Sequence, residues 1–377
     1  MNSQERLERA LSFREPDRVP IELHIDPRTH KMAEARRLVE FIETEADNFR
    51  GVGCVDWGFL GLPAKYSEEI IEDRPGEFRR IRRTMDTAAG PFVAITKHNY
   101  PHLDSPDYHW EQRYVSTLDD FARLADAPRQ AAPFDKAKWD AGAAAAKGRG
   151  VAVIGLLHPL GRLVRQADME GVYGWLMTEK EITHRFLART AAQVAATVEE
   201  IGRQGVSPWF GVVAHEMLIP PWMGMRHFDE LVFPYDKTVN DAIHRIGGRL
   251  RAHCHGNCMG YLERMSEMGI DSIEPLEPPP FGDVDLAEAK RRMAGRMSLS
   301  GNIPSQDFNT LRPADVRRLV KEAIAAAAPG GGFTLRTTGG HASVDADLEP
   351  DVLRHIIANV EAYIEAGLEF GRYPIRA

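Results

Sequence analysis

Eight short apolar runs punctuate this chain, and longer amphipathic stretches separate most of them. The runs are "VPIELHI" (19–25), "GCVDWGFL" (53–60), "VAVIGLL" (151–157), "PWFGVVA" (208–214), "RLRAHC" (249–254), "DSIEPL" (271–276), "MSLSGN" (297–302) and "FTLRTT" (333–338). Each is rich in Val, Ile, Leu or Phe and bounded by Gly, Pro or polar residues, as buried strands are. Eight strands alternating with helices predict a parallel α/β fold, closed as a (β/α)8 TIM barrel. An open doubly wound sheet is the alternative, but "HIDPRTH" after the first run lacks the glycine-rich phosphate turn of such sheets. A single barrel over residues 1–377 is expected, with an irregular insertion at about 61–150 that includes a short hairpin over the barrel mouth.

Helix signals agree with this. Thr178 and Glu181 in "TEKE" have the spacing of a capping box, followed by a stripe at Ile182, Phe186, Thr190, Val194, Val198 and Ile201. In "RPADVRRLVKEAIAAAAPGGG", Pro313 falls in a first helical turn and glycines follow the last. A terminal helix is expected from about Pro350 to Ala366.

Composition narrows the function classes. Hydrophobic content of 43% and charged content of 27% are those of a globular protein with a full core. The net charge is −8 without a basic block, which gives no footprint for nucleic acid. No apolar run approaches the roughly 18 residues of a membrane span. The three cysteines, Cys54, Cys254 and Cys258, and an amphipathic "MNSQERLERALSF" unlike a signal peptide lead to a cytoplasmic expectation.

Barrel active sites form where strands end at their C-terminal side. Ionisable residues gather there. The first run alternates Glu22, His24 and Asp26 with apolar neighbours, giving one polar face that is costly unless it lines a functional cavity. His158, His215 with Glu216, and His341 follow later runs. In "RLRAHCHGNCMGYLERM", His253 and His255 point to one side of a strand and can share a metal ion, with Glu216 or His341 as third ligand. Two hydrogen-bonded histidines that orient substrate are the alternative, and Cys258 reads as a buried thiol. Arg162 and Arg336 are candidates for a substrate carboxylate. His158, His215 and Trp222, the last in the "PPWMGM" loop, complete the expected substrate contacts.

Several segments resemble a known family. "RLERALSFREPDRVPIELHID", "GVGCVDWGFL", the stretch from "HFDELVFPYDK" to "DSIEPLEPP", and "GGGFTLRTTGGHASVDADLEPDVLRHIIANVEAYIEAG" are similar to the uroporphyrinogen decarboxylase and corrinoid-linked methyltransferase superfamily. The resemblance covers nearly the whole chain and implies a (β/α)8 barrel. The decarboxylase branch carries Arg-Gln-Ala-Gly-Arg after the first strand, where this chain reads "HIDPRTHKMAEARR", so porphyrinogen decarboxylation is not expected. The methylcobalamin:coenzyme M branch carries His-x-Cys-Gly-Asn at the fifth strand and a later cysteine, which hold zinc. Here those positions read "HCHGN" and fall near Gly339. Two thiolates replaced by imidazole would leave a stronger Lewis acid.

The resemblance therefore implies a zinc-dependent methyltransferase of demethylase type acting on a small methylated substrate. Its metal ligands would be His253, His255 and Glu216, and its methyl carrier a corrinoid protein or folate-type carrier on a partner. A homodimer is compatible with it. The alternative is a lyase or hydrolase, including decarboxylation of a small non-porphyrin acid, with His24, Asp26 and His341 as acid and base. A non-enzymatic binding protein ranks below both.

Overall fold

In a computed structural model of the protein, residues 1–26, 28–103, 108–341, 344 and 348–375 are described, without the side chain of His341. The chain forms β1 (Ile21–His24), β2 (Asn48–Gly51), β3 (Ala64–Arg74), β4 (Phe78–Thr87), β5 (Gly90–Asn99), β6 (His109–Gln112), β7 (Gly150–Leu157), β8 (Trp209–Val213), β9 (Arg249–Cys254), β10 (Ser272–Pro275), β11 (Ser298–Ile303) and β12 (Phe333–His341). Eight of these make one parallel sheet in the order β1-β12-β11-β10-β9-β8-β7-β2. Its two edges approach each other, so the sheet is a nearly closed barrel, as the sequence predicts. The seam is bridged by a side chain. Asn48 donates through Nδ2 to the Leu23 carbonyl at 2.8 Å and accepts from the Leu23 N–H at 3.1 Å. The Asp47 N–H adds a bond to the Ile21 carbonyl at 2.6 Å.

One strand differs from expectation. The second barrel strand is Asn48–Gly51, ahead of the apolar run 53–60. That run leaves the sheet: Val55 bridges Phe134, Phe59 bridges Leu62, and the Trp57 side chain reaches back to a barrel strand. Within it, Cys54, Phe59 and Leu60 are buried in the core while Asp56 is exposed. Where the sequence reading has a short hairpin, β3 to β6 form a four-stranded antiparallel meander. Acidic β3 faces basic β4 in register, Glu68 against Arg83 and Glu69 against Arg82, and such cross-strand pairs favour this alignment.

Helices cover the barrel. Lys180–Arg203 buries Phe186, Thr190, Val194, Val198 and Ile201 on the predicted stripe, with Ile182 packed partly against the core. Each large apolar side chain so buried stabilises by about 1.5–3 kcal/mol. The predicted capping box does not form. Thr178 ends the preceding helix, Met169–Thr178, where its hydroxyl bonds back to the Gly174 carbonyl, and Glu179 occupies the cap without a side-chain bond. Pro313 opens the helix Pro313–Ala327 as expected, and the terminal helix runs Pro350–Phe370. Among the described residues no helix is long and apolar enough to cross a membrane.

Candidate functional site

Residues in register on neighbouring parallel strands point to the same side, so pairing fixes who meets inside the barrel. Glu22 lies beside Arg336, Arg336 beside Asn302, and Glu274 beside His253. Glu22 is fully buried and takes a bidentate guanidinium from Arg251 at 3.0 and 2.6 Å. Ser300 donates to the same carboxylate at 2.8 Å, Thr334 also donates, and Arg336 stands at 3.4 Å. Glu274 joins from the other side, 2.7 Å from Arg336. Burial alone would raise both carboxyl pKa values. The charges of Arg251 and Arg336 outweigh it for Glu22, and Arg336, His253 and Arg251 do so for Glu274, so both lie below the usual range. Two guanidiniums and two carboxylates thus balance inside the barrel. Arg336, predicted to bind substrate, is taken up by this cluster.

On the opposite side of the barrel the interior is hollow. Gly155 of β7 and Gly211 of β8 are in register, and a Cβ built on Gly155 would meet no atom within 4 Å. Barrel interiors are normally filled by branched side chains at such positions. Above the glycines lies a cleft of about 800 Å³, walled by Trp57, Phe59, Leu60, Tyr66, Met85, Leu157 and Val213. Tyr66 and Met85 face each other across β3 and β4, so the antiparallel sheet supplies one wall. Trp57 is held by a bond from Nε1 to the Gly155 carbonyl at 2.9 Å.

Arg162 also lines this cleft, as its sequence position suggested. It is only 4% exposed, stacks over the Trp57 ring at 4.7 Å, and makes one bond, from Nε to the Leu157 carbonyl at 3.3 Å. Its buried Nη2 has no hydrogen-bond partner among the described residues. Burial, with a smaller effect from the Arg129 charge, draws its pKa down to about 10.

His253 and His255 do come together, with ring centroids 4.5 Å apart and edge to face. Each is held at Nδ1 by a carboxylate, His253 by Glu274 at 3.0 Å and His255 by Glu277 at 2.9 Å. The bond to Glu277 raises the His255 pKa above its ordinary value, partly opposed by burial. Glu277 is fixed in turn by the Gly256 N–H at 2.8 Å. Val212 pairs with Ala252, so the cleft residue Val213 neighbours His253 one strand away, about 4.8 Å in a sheet.

Glu216 follows Ala214, whose left-handed φ of 77° turns the chain into the short helix His215–Leu218. Its Oε2 is buried and without a hydrogen-bond partner. Carboxylate-backed imidazoles and an orphaned carboxylate oxygen are what a zinc site uses. Yet among the described residues no three His, Cys, Asp or Glu side chains form a set that could hold a metal ion. The expected His253, His255 and Glu216 triad is not assembled in this arrangement.

The other predicted residues lie elsewhere. His158 caps the helix Pro159–Val164, its Nδ1 accepting from the Gly161 N–H at 3.0 Å and its Nε2 meeting the Ala214 carbonyl at 3.1 Å. Backbone therefore uses both nitrogens, and burial lowers its pKa to about 4. His215 is 1% exposed in a small polar pocket with Asp236 and Asn240, between barrel and helices. Burial drives its pKa down and that of Asp236 up, and the two stand 3.7 Å apart. Neither histidine lines the cleft. Trp222 is 48% exposed and stacks on Tyr173 at 5.2 Å. Asp26 accepts from the N–H of Arg28 at 2.8 Å and pairs with its guanidinium. His24 ends β1 beside His341, whose side chain lies outside the described residues.

Sequence reasoning missed Arg251, although it alternates with His253 on one strand face, and missed the cleft walls Trp57, Phe59 and Tyr66. A glycine in the middle of each of two apolar runs was the available signal for the cleft.

Comparison with known proteins places this geometry. Among solved structures the chain is similar to a methyltransferase from Methanosarcina mazei at 15% identity, over 98% of this chain and 99% of that one, with a TM-score of 0.58. That likeness shows a shared fold. A broad-specificity endoglucanase from Bacteroides salanitronis is matched at 10% identity over 65% of this chain and 84% of that one, at a TM-score of 0.35 too low to carry an argument. No curated protein matches. The family model described as uroporphyrinogen decarboxylase (URO-D) matches residues 159–363, more than half of the 377 residues, and takes in β8 through β12. The chain belongs to the uroporphyrinogen decarboxylase family.

Proposed function

We propose that the protein is a methyltransferase of demethylase type, taking a methyl group from an oxygen of a small substrate seated in the Trp57–Arg162 cleft. One observation carries this reading: His255, whose pKa the bond to Glu277 raises, sits next to His253 beyond the strand beside an apolar cleft. When a methyl–oxygen bond breaks, the electron pair stays on oxygen, which needs a proton as the carbon leaves. His255 supplies it. The new carbon bond forms to a nucleophilic acceptor on a partner, a corrinoid protein or a folate-type carrier. Glu277 then stabilises the imidazole until a solvent proton restores it.

A second reading has support in the same place. An apolar cleft beside a proton donor also suits loss of carbon dioxide from a small acid, with His255 protonating the carbanion left behind. The two separate on the acceptor. Incubation of the purified chain with methoxylated acids and a reduced corrinoid protein should release the demethylated product only when the acceptor is present. Acceptor-independent release of carbon dioxide would replace the first reading by the second. Stoichiometric bound metal that is lost in His253→Ala would replace proton donation by Lewis-acid chemistry.

A further inference from the structure

The substrate class follows from an imbalance of charge. Inside the barrel Arg251 and Arg336 are matched by Glu22 and Glu274. Arg162, equally buried, has no carboxylate in ion-pair contact among the described residues, and its Nη2 is orphaned. A second guanidinium lies behind it. Arg129 bonds the carbonyls of Leu60 and Leu124, and its charge adds to burial in drawing the Arg162 pKa down. A buried, unpaired charge is held at a cost of several kcal/mol unless something compensates it. Among the described residues the Trp57 ring and the Leu157 carbonyl offset only part of it and no carboxylate pairs with it, so the rest comes from what enters the cleft.

The rest of the lining limits that guest. The walls present the rings of Trp57, Phe59 and Tyr66 with Met85, Leu60, Leu157 and Val213, a surface that favours a flat apolar body. Asp56 lies at the same rim and would repel a second anionic group. The glycine pair Gly155 and Gly211 lets a ring pass down toward the barrel interior. We propose that the cleft binds a flat, apolar acid with a single carboxylate, the carboxylate on Arg162 and the ring system between Trp57 and Tyr66. This rests on reading the cleft as the substrate site, but not on which reaction takes place there.

Calorimetric titration with benzoate, its uncharged isostere benzamide, and acetate tests it without turnover. Benzoate should bind at least roughly tenfold more tightly than either, because benzamide lacks the charge and acetate lacks the ring. Arg162→Met should abolish the preference for benzoate over benzamide with little change in the melting temperature, since the change removes one long bond to the Leu157 carbonyl and keeps an unbranched side chain against the Trp57 ring. Arg162→Lys, which keeps the charge but not the planar fork, should retain part of the preference and serves where the Met variant fails to fold. No binding of benzoate, equal binding of benzoate and benzamide, or an unchanged preference in both variants would overturn the proposal. Selective benzoate binding without any methyl transfer would refute the reaction alone.

Discussion

Replacing Glu22 by Gln isolates the charge at the centre of the barrel. The amide keeps the shape and can still bond Ser300 and Thr334, but it leaves Arg251 and Arg336 sharing Glu274 as their remaining carboxylate. All of these groups are buried, Glu22 completely. Breaking a buried ion pair by removing one partner costs about 3–5 kcal/mol. With about 2.1 cal/mol/K of unfolding entropy per residue over 377 residues, that is a drop of about 4–6 °C in Tm. The pH dependence has a definite sign. Glu22 is held below its ordinary value of 4.5, so its contribution is complete above that pH and disappears as pH falls through the lower folded value. The gap between parent and Glu22→Gln, measured by calorimetry or urea unfolding, should therefore be full at pH 7 and narrow only under strong acid. A loss under about 1 kcal/mol at pH 7, or a gap that does not change with acid, would refute the claim that Glu22 neutralises the two guanidiniums.

Three further outcomes are expected. If protonated His255 drives turnover, the rate is present at low pH and lost as pH rises through its raised pKa; Glu277→Gln should shift that limb of kcat to lower pH, and identical limbs would exclude the role. Gly155→Leu should raise KM or abolish benzoate binding while Tm stays within a few degrees, because its side chain enters open cleft space; unaltered binding would mean that ligands sit elsewhere. Asn48→Leu removes both side-chain bonds across the β1–β2 seam and should lower stability by about 1–3 kcal/mol in urea titration, with the cleft's affinity unchanged.

The barrel was legible wherever a strand is long and buried on both faces. "FTLRTT" reads directly as β12 because every residue in it is buried, and "VAVIGLL" reads as β7 from its apolar run although its inner face opens at Gly155. β2 was not legible. Its residues, Asn48, Phe49, Arg50 and Gly51, contain one large apolar side chain, and it holds its place through Asn48 rather than through burial. The apolar run after it looked more like a strand, yet goes to the core and cleft wall. The meander of β3 to β6 was hidden for a related reason: its outer strand is exposed over most of its length, so charge pairing with β4 replaces hydrophobic alternation.

At the site, residue types were legible at the strand ends but their partners were not. Glu22, Arg251 and Arg336 are separated by 229 and 314 positions, and only the closing of the sheet brings them together. Before that closure each is an equal candidate for binding substrate. The parity of the imidazole pair shows the same dependence. His-x-His on a strand puts two rings on one side, but whether they share a cation or bind separate carboxylates is decided on the next strand. There Glu274 is in register with His253, and the loop beyond β10 brings Glu277 to His255. Nδ1 of each ring is thereby engaged, which orients both imidazoles and makes proton transfer available without any third donor. Arg162 is the converse case. It stands on the helix after β7, against the Trp57 ring and the apolar cleft wall, and no strand pairing brings it a carboxylate among the described residues.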